Sequence, residues 1–407
     1  MTIYVNGKET LLGTGTNTIM TLIESYELNP MVVIVERNKG IVAKDSYDST
    51  ILEHGDHIEL VHFVGEVDSL NDRYSRQELF SPIGKEGQKQ IQQSHALIIG
   101  AGALGTALAE SLTRAGIGKL TIVDRDYVEW SNLQRQQLYS ESDARDRIPK
   151  AVAAKKRLQN INSDVEVASH VMDVSIEEME QLIAGVDLIL DATDNFDTRL
   201  LINDMSQKAN IPWIYGACVG SYGLSLTIIP GKTPCLQCLL DSIPLGGMTC
   251  DTAGIISPAV QIVVAHQVTE ALKLLTGNLA ALRGSLYSFD LWLNSSSSIS
   301  VKKIKKDDCP SCGKTPSYPY LDKTNSTKTA VLCGRNTVQI RPATNTTLNL
   351  ETLADRLKPY GQVSKNHYLL SLTKGEHRLV FFTDGRVLIH GTKDIAEAKK
   401  LYYQFVG

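Results

Sequence analysis

The chain has 407 residues, 43% of them hydrophobic and 21% charged, with a net charge of -4. This is a globular composition, longer than one ordinary domain, and its charge leaves no electrostatic footprint for nucleic acid or an anionic membrane. No apolar run approaches the ~20 residues that cross a bilayer, and the N-terminus MTIYVNGKET lacks a signal-peptide core, so a cytoplasmic protein is expected.

Residues 1–67 open with the strand-like alternation TIYVNGKE, in which Asn6-Gly7 reads as a hairpin turn. A helix is expected at 18–26, and further strands at 31–37, 40–44 and 57–64, the last after the turn His54-Gly55-Asp56. This order, β-β-α-β with late strands, fits a small β-grasp domain. The polar run GEVDSLND (65–72) ends it as a linker.

The second block spans 73–317. Its runs LIIG, LGTALAESLTRAG, KLTIVD, DLILDATD, a helix near 197–209 and WIYGACV alternate strand and helix patterns. That alternation predicts a Rossmann-like α/β fold around a mostly parallel sheet. Residues 257–276 read as a helix capped by Ser257, with Pro258 in its first turn and Gly277 as its stop. His266 on that helix reads as a satisfied core or interface histidine. Past the polar stretch 318–328, residues 329–407 predict a small α+β domain ordered β-α-β-β-β-α, with helices at 348–360 and 394–404. No role follows for it from the sequence.

The chemistry is concentrated in the second block. Residues 97–105, LIIGAGALG, end an apolar run in Gly100-x-Gly102-x-x-Gly105 ahead of a helical pattern. Such a turn brings backbone amides up to a phosphate at a helix N-terminus. Asp124 ends the later apolar run LTIVD, where an acid can bind a ribose hydroxyl. By themselves these features predict a nucleotide site, with NAD as the default ligand. The residues that follow point to phosphate chemistry instead. Arg135 and Lys150 can neutralise charge on a triphosphate, Asn132 and Gln136 can bond phosphate or ribose, and Asp194 offers a hard oxygen to Mg²⁺. Each also has a plainer reading: a lone cation is usually solvated, and Asp194-Asn195 can cap the next helix. Their common position at strand ends of one sheet favours the ligand-binding reading.

Seven cysteines include the pairs Cys235-x-x-Cys238 and Cys309-x-x-Cys312. Four thiolates in two knuckles match a closed, structural Zn²⁺ site, the alternative being buried or redox-active thiols. Cys250 follows Gly246-Gly247 and precedes the helix at 258, a setting that can favour a thiolate. Cys218 reads as a core residue and Cys333 as a strand residue.

Taken together, RYSRQ (73–77), GAGALG (100–105), VDRD (123–126), SNLQRQ (131–136), RIPK (147–150), DATDN (191–195), PCLQC (234–238), TCDTAGIISP (249–258) and CPSC (309–312) resemble the ThiF/MoeB/HesA family, bacterial relatives of ubiquitin-activating enzymes. The resemblance covers roughly 73–313. It implies ATP-dependent adenylation of the C-terminal glycine of a small ubiquitin-like sulfur carrier, of ThiS or MoaD type, with release of pyrophosphate. The sulfur would go to thiamine thiazole or molybdopterin, with a sulfur-donor protein as a further partner. By resemblance Asp124 holds the ATP ribose, Asn132, Arg135 and Lys150 bind phosphates, and Asp194 positions Mg²⁺ and the α-phosphate. Asp126, Ser131, Leu133, Gln134, Gln136 and Asn195 complete the nucleotide-binding candidates. Arg76 corresponds to an arginine that reaches into the other protomer's site, which implies a homodimer. Cys250 stands where relatives form an acyl or persulfide link, against the alternative of an inert thiol. Ala103 departs from the glycine of many relatives.

Residues 1–67 resemble the carrier ThiS itself, through IYVNGKE, VVIVERN and GDHIELVHFVG. Such carriers end in a free Gly-Gly carboxylate, whereas here Gly65 is followed by Glu66 and Val67. The block is therefore expected to be no substrate unless cleaved, and to occupy a carrier-docking surface, mediate assembly or stabilise the chain. Three rival readings stay open at this point: adenylation of another peptide C-terminus as in microcin-type relatives, a docking scaffold without activity, and an NAD-dependent dehydrogenase. The last leaves the cluster at 131–136 without a use.

Overall fold

A computed structural model describes residues 1–13, 15–26, 28, 30, 33–62, 73–240, 253–322, 329–331, 336–341 and 347–405. The linker 65–72, Cys250 and Cys333 lie outside the described residues. The chain divides into two compact units, Met1–Ser75 and Arg76–Gly407.

In the first unit the alternation of TIYV puts Ile3 and Val5 inward, as a half-buried strand requires. Strand Thr2–Val5 turns back into Lys8–Leu11 through Asn6 and Gly7, both at positive φ, and pairs in parallel with His57–His62. Val33–Arg37 and Gly40–Val42 complete a five-stranded sheet. The helix Ile19–Ser25 is capped by Thr18 and buries Ile19, Leu22 and Ile23 against one face of that sheet. The Tyr47 hydroxyl, inside that core, donates to the Val33 carbonyl at 3.0 Å. On the opposite face the register partners Ile34 and Val61 are exposed.

The second unit is built on an eight-stranded sheet. His95–Ile99, Lys119–Val123, Glu166–His170, Leu188–Asp191 and Trp213–Val219 pair in parallel. Tyr222–Ile228, Ser285–Asp290 and Ser295–Ser300 extend the sheet antiparallel, ending in a serine-rich exposed edge. The helix Ser257–Leu275 lies across it, burying Val260, Val263 and Val264. Gln267 on this helix is fully buried and donates to the carbonyls of Asp191 and Ile214, tying two neighbouring strands together. The helix starts differently from the sequence reading. Ser257 is its first residue and Ile256 the flanking one, without a side-chain cap, because Ile256 N–H bonds Gly220 O at 3.0 Å and backbone pairing sets the entry.

Residues 329–405 form a second sheet in the same unit, six strands and antiparallel throughout. Its order is Thr329–Val331, Thr337–Ile340, Val387–His390, His377–Phe382, Leu369–Lys374, Gln362–Lys365. The predicted β-α-β-β-β-α therefore gains two strands. Thr329–Val331 and Thr337–Ile340 are separate, and the polar Gln362–Lys365 has too weak an alternation to announce a strand. Helices Leu350–Leu357 and Ile395–Phe405 cover one face, over Leu370, Leu379, Phe381 and Ile389. The other face is not left open: Leu369, Val380, Phe382 and Leu388 bury Tyr127, which follows strand Lys119–Val123 of the larger sheet.

Candidate active site

Strand order reverses at His95–Ile99. The next two strands in sequence lie on one side of it, and Leu188–Asp191 and Trp213–Val219 on the other. A crevice forms beyond the carboxyl ends of the strands at such a point. Gly100 crosses it at φ +100, and a Cβ there would stand 2.5 Å from the Ala192 carbonyl oxygen. A Cβ on Gly105 would stand 1.9 Å from Gly100 O, so the third glycine serves the packing of helix on turn rather than the ligand. Helix Ala103–Ala115 starts at the crevice with no acidic residue in its first turn, leaving its N-terminal amides and dipole available to an anion.

The crevice is a cavity of about 370 Å³. Gly100, Gly102, Ala103, Asp124, Asp126, Arg135, Gln136, Lys150, Asp194 and Asn195 all line it. The Asp124 carboxylate accepts from Ala101 N and Asp126 N, each at 2.7 Å, so it braces the glycine turn against the strand end. Burial raises its pKa above the ordinary value, with Lys150 opposing and Asp126 adding to the rise. Lys150, only 4% exposed, stands 3.3 Å from Asp126 Oδ2. An ammonium carries three donors, so that ion pair does not exhaust it. Arg135 Nη1 donates to the Ser131 carbonyl at 2.8 Å, holding the guanidinium at the cavity wall.

Asn195 does cap the helix Phe196–Ala209, accepting from Thr198 N, and this sets Asp194 beside it at the cavity. The support beneath them is Arg199, which the sequence reading missed. Its Nε pairs with fully buried Asp191 at 2.9 Å and its Nη2 donates to Thr193 O and Gly216 O. Arg125 and Asp173 also line the cavity without having been singled out. Arg125 stood inside the VDRD run, whereas nothing in the sequence marked Asp173. Cys218, expected in the core, is half-buried and lines the cavity.

A second cavity of about 620 Å³ adjoins the first, sharing Arg135 and Ile255 with it. Ser131, Asn132 and Gln134 line it rather than the first cavity, and Thr337 and His390 line it from the C-terminal sheet. Asn132 is 1% exposed; its Oδ1 accepts from Glu129 N, while its Nδ2 is buried with no hydrogen-bond partner. A buried donor of this kind is suited to a ligand acceptor. Gly105 and Leu133 line neither cavity, Leu133 packing on the main core. Arg76, on the short helix Ser75–Glu78, is exposed and also lines neither.

The four paired cysteines converge. The Sγ atoms of Cys235, Cys238, Cys309 and Cys312 lie within 4.8 Å of one another, with Cys235–Cys309 and Cys238–Cys312 both at 3.6 Å. Tetrahedral zinc at about 2.3 Å from each sulfur needs sulfurs about 3.8 Å apart, so the donor set fits that ion. Hydrogen bonding to Cys312, with burial, pushes the Cys235 thiol up, while the same bond pulls Cys312 down to about 5. Adjacent thiolates repel, and a dication is what allows all four to ionise together.

The ThiF family model matches residues 74–311. The chain belongs to the ThiF family. The ThiS family model matches residues 3–65, so the ThiF core here follows a ThiS-like region in one chain. The chain is 57% identical over 339 residues to the sulfur carrier protein ThiS adenylyltransferase of Bacillus subtilis (strain 168), covering 83% of this chain and 100% of that relative. It is 36% identical to the SAMP-activating enzyme E1 of Haloferax volcanii over 60% of this chain and 88% of that one. Among solved structures, Escherichia coli MccB with succinimide superposes with a TM-score of 0.52 at 22% identity, over 59% of this chain and 74% of that one. That likeness is one of fold.

Proposed function

We propose that this ThiF-family chain is an ATP-dependent adenylyltransferase that activates the C-terminal glycine of a ThiS-type sulfur carrier for thiamine thiazole synthesis. One observation carries the reading: Arg135, Lys150 and Asp194 surround a single cavity at the glycine turn, in a chain 57% identical along the whole of a ThiS adenylyltransferase. ATP lies with its ribose toward Asp124 and its phosphates toward the N-terminus of helix Ala103–Ala115. The carrier carboxylate, ionised at neutral pH, needs no general base. Its oxygen attacks the α-phosphorus, the bond from that phosphorus to the α,β-bridging oxygen breaks, and pyrophosphate leaves. Arg135 and Lys150 neutralise the charge that grows on the phosphate oxygens. Mg²⁺ held by Asp194 would screen the same charge. The carrier's C-terminal peptide enters through the second cavity, where the unpartnered Asn132 Nδ2 offers it a donor.

Zn²⁺ on the four cysteines is structural, since four sulfur ligands leave no open position. The working enzyme is a cytoplasmic homodimer in which the exposed Arg76 serves the partner's site. Cys250 acts after adenylation, in sulfur transfer. Residues 1–67 are not the substrate unless the chain is cleaved after Gly65, because Gly65 otherwise has no free carboxylate.

Carrier-dependent ATP–pyrophosphate exchange tests this reading. Exchange is expected only with a carrier that keeps its Gly-Gly tail. Asp194→Ala should lower it about a hundredfold or more, and Cys250→Ala should spare it. No exchange with any carrier would overturn the proposal.

A further inference from the structure

In the segment that follows strand Lys119–Val123, Asp124, Arg125 and Asp126 all line the first cavity. Arg125, Tyr127 and Glu129 are also held from the C-terminal sheet. Arg386, 1% exposed, donates from Nη1 to the Arg125 carbonyl at 2.9 Å, its guanidinium lying 4.0 Å over the Phe382 ring. Arg378 Nη2 donates to the Tyr127 hydroxyl at 2.6 Å and reaches Glu129 at 3.4 Å. The Arg125 side chain, which lines the cavity, is held through Asp173. Asp173 takes Arg125 Nη1 on one oxygen at 3.1 Å, and Gln339 Nε2 at 2.5 Å and Arg341 Nη2 at 3.0 Å on the other. Gln339 lies opposite Leu388 in the sheet register, and Leu388 opposite Val380, so these three share the face that covers Tyr127. Burial raises the Asp173 pKa, but the charges of Arg125, Arg341 and Arg386 outweigh it and hold the carboxyl below its ordinary value.

We propose that the C-terminal sheet is the back wall of the nucleotide site, with Gln339, Arg341 and Arg386 as positioning residues that fix Arg125, and through it Asp124 and Asp126, for the adenosine end of ATP. The proposal rests on the ATP-site reading above and gives residues 329–407 a task in it. None of the three residues touches the reacting phosphate. Their effect is to remove freedom from the segment that does meet the nucleotide, so it is felt in ATP binding before it is felt in turnover.

Arg341 is the residue to change, because it is partly exposed and its loss leaves Asp173 two other partners. In the intact chain, Arg341→Leu should weaken ATP and AMP binding about tenfold by titration calorimetry, through the loss of its charge-assisted contacts to the Asp173 carboxylate and main-chain carbonyl. The KM for ATP in exchange should rise by the same factor. The turnover number, the KM for the carrier and inhibition by pyrophosphate should stay within about twofold, and Arg341→Lys should recover part of the loss. Unchanged ATP and AMP affinity in Arg341→Leu overturns the proposal, as does a fall in turnover with affinity intact. A wild-type chain that binds ATP but exchanges with no carrier sinks the adenylation reading alone, and the calorimetric comparison still decides this one.

Discussion

The nucleotide-binding core is flanked in sequence by two small sheets that bury themselves differently. The first, in Met1–Ser75, puts one face under helix Ile19–Ser25 and leaves Ile34 and Val61 exposed on the other. The C-terminal sheet buries both faces, one under its two helices and one on Tyr127. The first announces its family in its motifs, and the second announces nothing, yet the second reaches the nucleotide segment through Arg386, Arg341 and Gln339. Likeness to a known family and coupling to the site are therefore separate properties. Coupling is written in which faces a sheet must bury.

The strongest test sets a buried tyrosine of one region against one of the other. Tyr47→Ala and Tyr127→Ala each remove a ring at most 3% exposed and should each cost about 3–5 kcal/mol in denaturant unfolding of its own unit. Tyr127→Ala should also weaken ATP binding more than about tenfold, while Tyr47→Ala leaves it unchanged. Equal effects on ATP would erase the distinction. Next in size is metal removal. A strong chelator should release one zinc per chain and lower the calorimetric midpoint of the unit holding Cys235 and Cys312 by roughly 10 °C. The transition of Met1–Ser75 should stay in place, and a drop in both would couple the two units.

The smallest effect is in acid. Burial raises Asp56, but the Glu53 amide and Arg37 outweigh it, and the carboxyl lies below its ordinary value, as that of Asp173 does. Both groups contribute stability that is full above the unfolded value, about pH 4, and that is lost as pH falls through their lower folded values. Asp56→Asn should therefore flatten the acid limb of stability for the first unit only. Asp173→Asn should flatten it for the second and, unlike Asp56→Asn, weaken ATP binding at neutral pH.

Much of the site was legible because its residues are local to motifs. Gly100, Asp124 and Asp194 follow strands whose ends the apolar runs mark, Lys150 opens the helix Lys150–Ile161 behind the RIPK motif, and the four cysteines advertise themselves by spacing. Asp173 and Arg199 were not legible, since each acts through a partner distant in sequence or on another strand. The cap of helix Ser257–Leu275 was misread for the same reason: pairing with Gly220, not the Ser257 side chain, starts it.

The sequence by itself determined the β-grasp and Rossmann-like elements, the glycine turn and the four-cysteine cluster. Periodicity, glycine placement and ligand spacing are properties of short segments. What covers the second face of the C-terminal sheet is Tyr127, some 250 residues earlier in the chain. Only the tertiary structure decided it, because a buried face requires a partner but does not name one.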